Sequence, residues 1–223
     1  MLQRVKPAFA SSLILGTIAI FCVIVSHTQK AENSALLLSY HLLILFLLPL
    51  LVLLWSHSPK SLWVGLILGE IPLFWGSSFS LSALFFLLSL TLFLQAIFAG
   101  IQKKKSLLTA QTLIPFLFYL TIFPLFISNE ILYALPSESR SGVIQGMIFS
   151  NPLFLLVGSI LEQKEFFRFY YMYNLLSDIG SYYPHRFPSK EWVLGLSSIF
   201  ALLSFGTLFY LEKKTPTEKN PKK

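Results

Sequence analysis

The sequence has few charged residues. Asp, Glu, Lys and Arg make up 12% of its 223 residues, whereas 55% are hydrophobic and the mean hydropathy is +0.69. Soluble domains carry about 25% charged residues. The composition therefore excludes an ordinary water-soluble domain and predicts an all-α, polytopic protein of the lipid bilayer.

Cysteine and the common catalytic motifs are also scarce or missing. The one cysteine, Cys22, lies inside the first apolar run, which excludes an internal disulfide and a cysteine-based metal cluster. No Lys-Ser or Lys-Thr pair follows the glycines of a phosphate-binding loop, and the sequence contains neither His-Glu-x-x-His nor Gly-x-Ser-x-Gly. We therefore assign no catalytic residue, no metal ligands and no cofactor, and we expect no ATPase motif in this chain.

Long apolar runs dominate what is present. A bilayer span requires about 20 apolar residues, and the run over residues 62–100 is long enough for two, so we divide it at the turn-forming WGSSFS of 75–80. The first run follows a basic head and exceeds the core of a signal peptide, which favours a retained anchor. Six spans are predicted in one transmembrane domain, 1–211: residues 9–26, 36–55, 62–76, 80–100, 107–127 and 191–211.

Basic residues give the expected orientation. The formal net charge is +7, but Lys and Arg fall in short clusters between apolar runs, so we expect no nucleic acid partner. With a cytoplasmic N-terminus and six spans, most of them lie inside. The inside residues are Arg4 and Lys6 before span 1, Lys60 after span 2, Lys103, Lys104 and Lys105 after span 4, and five lysines after residue 211.

An Asn-Pro pair interrupts the apolar stretch of residues 142–162, in IFSNPLF. Pro152 has no N–H for a helix and pushes Asn151 out of the α region. Each half of the stretch has about ten residues and reaches about 15 Å, half of the hydrocarbon core. We predict a re-entrant helical element between spans 5 and 6. A Pro-kinked seventh span is the alternative, and charge does not separate the two.

The segments on either side of the last span are polar or mixed. Residues 163–190 interleave aromatic and charged side chains, which is typical of a segment at the membrane surface. Residues 212–223 are charged and lack apolar periodicity, and we expect a disordered basic tail there.

Some residues inside the spans are candidates for function. Glu70 is the one acid within a span. Such acids often face a pathway or a partner; the alternative is that Glu70 lies in water close to the outer end of span 3, beside the turn at 75–80. His27 and His41 are both expected toward the outer face and could ligate a haem or metal, or form ordinary hydrogen bonds. Pro115 and Pro124 are expected to kink span 5, for packing or for gating.

The order of these features resembles that of type-2 ABC exporter permeases. The segment QAIFAGIQKKKSLLTAQTLIPFLFYLTIFPLFISNEILYALP is similar to the family's span 4, basic loop and span 5, and IFSNPLFLLVGSILEQ is similar to its extracellular re-entrant element. KKKSLLTAQTLIPFLFYLTIFPLFIS also resembles, more weakly, the haem exporter B subunit of cytochrome c maturation.

The resemblance implies a permease in a bacterial inner membrane with both termini in the cytoplasm. Its expected partners are a separate ATP-binding subunit and a second permease copy or paralogue. Glu70, Asn151, Pro152, Pro115 and Pro124 become candidates for the pathway or its gate. The candidate contacts to the ATP-binding subunit are Lys60, Lys103, Lys104 and Lys105.

Two other functions fit the same sequence. The loop SHSPKS after span 2 is shorter than the family's coupling stretch, which favours a scaffold or accessory subunit of a larger membrane complex that does not itself transport. An intramembrane enzyme acting on lipid through Glu70 or the histidines is the third hypothesis.

Overall fold

The computed structural model describes residues 33–54, 59–71, 80–122, 134–161 and 186–213, and the regular structure within them is helical. The all-α prediction is confirmed for this part of the chain. The helices are α1 (Asn33–Leu54), α2 (Pro59–Gly69), α3 (Leu81–Lys104), α4 (Leu107–Ile122), α5 (Ser137–Ser150), α6 (Pro152–Ile160) and α7 (Lys190–Lys213).

The described helices contain fewer clear spans than the six predicted. Helices α3 and α7 are long and apolar enough to cross a membrane, and α5 with α6 counts as a third only if that bent pair is one span. Helix α4 and residues Leu38–Leu54 of α1 are shorter apolar helices. The predicted span 9–26 lies outside the described residues, as do 123–127 of span 5 and 72–76 of span 3.

The segments around α7 are only partly described. Of the predicted interfacial segment, residues 186–189 have no regular structure and Lys190 begins α7, while 163–185 lie outside the described residues. Helix α7 continues through Lys213, two residues into the segment for which we expected disorder. The rest of that tail also lies outside the described part.

Helices α3 and α7 form the most extensive helix pair and run in the same direction. Phe93 stacks on Phe200 with ring centroids 4.9 Å apart, and ten residues further along α3 the Lys103 ammonium donates to the Leu211 carbonyl at 2.8 Å. The C-terminal ends of both helices therefore meet. We call this end of the molecule, with Lys103, Lys104, Lys105 and Lys213, the lysine end.

Helices α2 and α4 run antiparallel to α3. Helix α4 follows α3 after a two-residue connection, Lys105 and Ser106. In α2, the Trp63 indole N–H donates to the Gln95 side chain at 2.9 Å. Ile67, one turn later, lines a cavity with Phe85 from the start of α3. The N-terminal end of α2, where Lys60 lies, thus points toward the lysine end.

The short helix α6 forms the centre of the core. All nine of its residues are buried, and it contacts α1, α3, α4, α5 and α7. Its C-terminal end lies against the starts of α3 and α7: the hydroxyls of Ser80 and Ser82 donate to the Ser159 carbonyl, and Gly158 lies against Pro188. This junction is at the opposite end of the molecule from the lysines.

Substitution of Gly158 tests the close approach of α6 to Pro188. A Cβ at this position would lie 2.3 Å from the Pro188 carbonyl oxygen. We expect Gly158→Ala to destabilise the protein by about 1–3 kcal/mol because backbone must move to admit the methyl group. The measurement is the thermal melting temperature in detergent.

Gly146→Ala in α5 is the matched control, because a Cβ there meets nothing within 4 Å. Alanine is favoured over glycine in a helix by about 1 kcal/mol, so this variant should be neutral or slightly stabilised. Equal melting temperatures for the two variants would contradict the packing of α6 on Pro188.

Candidate functional site

Asn151 joins three helix ends. Its backbone is extended (φ −80°, ψ 123°), as expected before a proline, and Pro152 occupies the first position of α6, where no N–H bond is needed. Its side-chain oxygen accepts from the Leu153 N–H at 2.9 Å and caps α6. Its amide donates to the Thr121 carbonyl at 3.1 Å, in the last turn of α4.

The Asn-Pro pair therefore separates two helices whose axes differ by 69°. Both helices also contact the segment that leads into α7. In α5, the Gln145 amide donates to the Arg186 carbonyl at 2.7 Å, and Phe149 packs edge-on to Trp192 with centroids 5.3 Å apart. In α6, Phe154 lies 6.0 Å from Phe187 between ring centroids. The bent pair thus packs at the end opposite to the lysine end.

An apolar cavity of about 150 Å³ lies beside this junction, between α3, α4, α6, α7 and the end of α5. The stacked rings of Phe93 and Phe200 form one wall, and Pro152 and Leu155 of α6 form part of another. Its lining side chains are apolar apart from two hydroxyl-bearing residues, Thr121 and Ser150. Such a lining suits hydrocarbon and gives an ion or a phosphate no charged partner.

A second apolar cavity of about 200 Å³ lies between α2, α3 and α7. Trp63 and Ile67 of α2, Phe85 and Leu92 of α3 and Phe205 of α7 contribute to its lining. The two cavities use different sides of the α3–α7 pair, because Phe93 and Phe200 line the first and Leu92 and Ala201 line the second.

Glu70 is buried and lies beside His41. The carboxylate Oε1 is 3.2 Å from the imidazole Nε2, and the two side chains are 4% and 0% exposed. Among the described residues, no hydrogen-bond partner reaches the second carboxylate oxygen, Oε2. The interpretation of Glu70 as a residue in water beside the turn is therefore wrong. Neither Glu70 nor His41 lines either cavity described above.

Sequence reasoning named Glu70 and His41 separately and missed their contact. The available signal was that both were expected toward the outer face, but the pairing depends on how α1 packs against the end of α2. His27, the other residue of the haem or metal hypothesis, lies outside the described residues. Within the described part of the chain, no three His, Cys, Asp or Glu residues cluster in a way that could hold a metal.

The remaining candidates are dispersed. Pro115 is half-buried within α4, which continues through it, and Pro124 lies outside the described residues. The side chains of Lys103, Lys104 and Lys105 are exposed at the lysine end. Lys60 lies in the first turn of α2. Pro152 is the one pathway candidate among the described residues that lines a cavity.

No protein-family model, no curated protein and no solved structure matches this chain. The likeness to type-2 exporter permeases thus stays a prediction from the sequence segments quoted above.

Replacement of Asn151 tests the junction. Asn151→Leu removes both side-chain bonds, and the buried Leu153 N–H loses its capping partner. An orphaned buried group costs about 1–3 kcal/mol, so this variant should be destabilised. Asn151→Ser retains the capping oxygen and should fall between the leucine variant and wild type in melting temperature.

Ser150→Ala is the neighbouring control, because this exposed hydroxyl makes only a long 3.5 Å contact with the Met147 carbonyl. It should melt close to wild type. If Asn151→Leu also melts close to wild type, the hydrogen bonds of Asn151 do not hold the helices together.

A double-mutant cycle tests the buried pair. Removing one partner of a buried ion or hydrogen-bonded pair costs about 3–5 kcal/mol, whereas replacing both by apolar residues is often nearly neutral. We expect His41→Leu and Glu70→Leu each to destabilise the protein, and the double variant to regain most of that loss. Additive losses, measured as unfolding free energies in the same detergent, would show that the two side chains do not interact.

Proposed function

We propose that this chain is the membrane permease subunit of an ATP-driven exporter of the type-2 ABC class. It would form a translocation pathway with a second permease, driven by a separate ATP-binding subunit. The observation that carries the proposal is the bent α5–α6 element. Its two helices meet at Asn151 at 69°, and α6 is buried among apolar helices.

The contacts of this element favour the re-entrant interpretation over a kinked span. Gln145 and Phe149 of α5 and the C-terminal end of α6 all lie near the start of α7 or α3. If α5 and α6 together formed one kinked span across the membrane, one of the two helices would extend toward the lysine end. Irregular backbone at membrane depth requires burial in protein or a polar cavity, and Asn151, 1% exposed and hydrogen-bonded on both sides, meets that requirement.

The distribution of lysines supports an orientation with the lysine end in the cytoplasm. The C-terminal ends of α3 and α7 and the N-terminal end of α2 all point to that end, and short cytoplasmic loops carry an excess of Lys and Arg. Six spans with both termini inside, in a bacterial inner membrane, complete the proposal.

The cavity beside Pro152 supports an apolar cargo. Its walls come from α3, α4, α6, α7 and the end of α5, so movement of the α5–α6 element relative to α3 and α7 would change its shape. A lining of Phe, Leu and Ile side chains favours lipid-like or aromatic molecules over hydrophilic ones.

A specific observation favours an accessory, non-transporting subunit as the second candidate. Only four residues, 55–58, separate α1 from α2. A connection this short is an unfavourable docking site for an ATP-binding subunit, and this favours the accessory candidate. If the chain is instead the permease, the ATP-binding subunit would dock at the lysine end, on Lys103, Lys104 and Lys105.

Co-purification separates these candidates. The tagged chain is purified from its native host in mild detergent, and its partners are identified by mass spectrometry. The permease proposal predicts a stoichiometric ATP-binding subunit. Its absence from a preparation in which other membrane complexes remain intact would favour the accessory subunit.

Charge reversal tests where the ATP-binding subunit contacts this chain. Lys104→Glu with Lys105→Glu should reduce the bound ATP-binding subunit about tenfold or more, equivalent to about 1.4 kcal/mol. Arg186→Glu with Lys190→Glu is the matched control, since both residues are exposed at the opposite end, and it should retain the subunit. Equal retention in both variants would remove the lysine end as the docking surface.

Cysteine labelling tests the orientation. In a Cys22→Ser background, a membrane-impermeant maleimide added to intact spheroplasts should label Arg186→Cys and Glu138→Cys but not Lys104→Cys. Protection of Arg186→Cys alongside labelled Glu138→Cys would instead mean that α5 and α6 form a seventh span.

A further inference from the structure

The cavity beside Pro152 has one polar end and one apolar end. Among the described residues that line it, Thr121 and Ser150 carry the polar side chains, and no charged side chain is present. Both residues adjoin Asn151. Ser150 precedes it in the chain, and the Thr121 carbonyl accepts its amide at 3.1 Å. The two hydroxyl-bearing residues therefore lie at the same end of the cavity.

From this polar end the cavity extends toward the lysine end. On α4 its lining begins at Ile114, seven residues before Thr121, which is about 10 Å along the helix axis. On α3 it continues to Leu94 and Ile97, in the half of the helix nearer the lysines. An apolar cavity of about 150 Å³ with such a lining stays dry and accepts an apolar molecule.

The two hydroxyls have complementary hydrogen-bonding capacity. Thr121 Oγ1 donates to the Phe118 carbonyl at 2.6 Å, which leaves its lone pairs to accept a bond. Ser150 is exposed, and its contact with the Met147 carbonyl is long, at 3.5 Å, so its proton can turn to a ligand. An alcohol group both donates and accepts and therefore matches this pair. A charged head would find no counter-ion in the lining.

The polar end is also the open end. Thr121 and Ser150 are exposed, whereas Leu94 and Ile114 at the far end are buried. A hydrocarbon chain can fill the far end only if its head remains at the opening, beside the hydroxyls. Ser150 is the last residue of α5, so that head would lie at the bend of the α5–α6 element.

We infer that this cavity binds one chain of an uncharged, hydroxyl-bearing amphiphile. The hydroxyl group lies between Thr121 and Ser150, and the hydrocarbon chain points toward Ile97 and Ile114. Burial of the chain supplies most of the affinity, and the two side-chain hydroxyls select the head. The inference rests on the proposed function for one point only, which is that the bound molecule is the exported cargo.

Photolabelling tests the site in the full-length protein, reconstituted in phosphatidylcholine vesicles. The probe is decanol with a diazirine at the end of its chain, and the labelled peptides are identified by mass spectrometry. We expect saturable labelling of the peptides that contain Leu94, Ile97 and Ile114. A diazirine placed next to the hydroxyl should instead label Thr121 and Ser150. Labelling that does not saturate, or that does not move with the diazirine, would overturn the inference.

Two identical substitutions on α3 provide the matched comparison. Leu90 lines this cavity and Leu92 lines the other one, and they are 5% and 4% exposed. Leu90→Phe fills the first cavity and should reduce saturable labelling at least tenfold. Leu92→Phe adds the same volume outside it and should retain the labelling. Equal labelling of the two variants would show that the probe binds elsewhere.

Competition tests the selection of the head. Unlabelled decanol should displace the probe at a lower concentration than decyltrimethylammonium, whose fixed charge has no counter-ion in the cavity. Ser150→Ala should weaken decanol about two- to tenfold, through the loss of one hydrogen bond, and leave decane unchanged. This variant keeps the inference testable if Leu90→Phe does not fold. Equal potency of the alcohol and the ammonium compound would contradict an uncharged ligand.

Binding needs no ATP-binding subunit, so its outcome is separate from that of the co-purification. A chain that binds decanol but purifies without such a subunit would keep the ligand site and lose the role in export. A chain that purifies with the subunit but shows no saturable binding would keep the export proposal and overturn this inference.

Discussion

The arrangement of the core depends on the hydrogen bonds of one side chain, Asn151. It satisfies the first turn of α6 through its oxygen and the last turn of α4 through its amide. Helix ends leave backbone groups without partners, and in an apolar environment water cannot supply them. A single amide that bonds at two helix ends reduces the number of unpaired backbone groups where the chain breaks inside the core.

A second constraint is the parallel packing of α3 and α7. Parallel neighbours require a long connection, and the chain between α3 and α7 contains α4, α5 and α6. Helix α6 lies against both members of the pair. It is anchored where they begin, through the serine hydroxyls on the Ser159 carbonyl and through the contact of Gly158 with Pro188. The opposite ends of the pair carry the lysines, so the molecule has two chemically different ends.

Polar side chains are few among the described buried residues, and several of them are hydrogen-bonded in different ways. Ser89 and Thr91 donate to carbonyls in the preceding turn of their own helix. Trp63 and Gln95 bind each other across two helices. The His41–Glu70 pair differs because a carboxylate and an imidazole meet at 3.2 Å in a buried site. Removal of one partner from such a pair is costly, whereas replacing both by apolar residues is often nearly neutral.

The sequence determined the helical class, the approximate bounds of the longest apolar helices and the break at Asn151, because these follow from local chemistry. Hydrophobic runs predict helices of sufficient length, and proline fixes the backbone around it. Tertiary structure decided which groups meet: the amide of Asn151 with α4, Lys103 with Leu211, and Glu70 with His41. Those pairings depend on the packing and direction of helices distant in sequence. No local pattern in a nearly uniform apolar sequence records them.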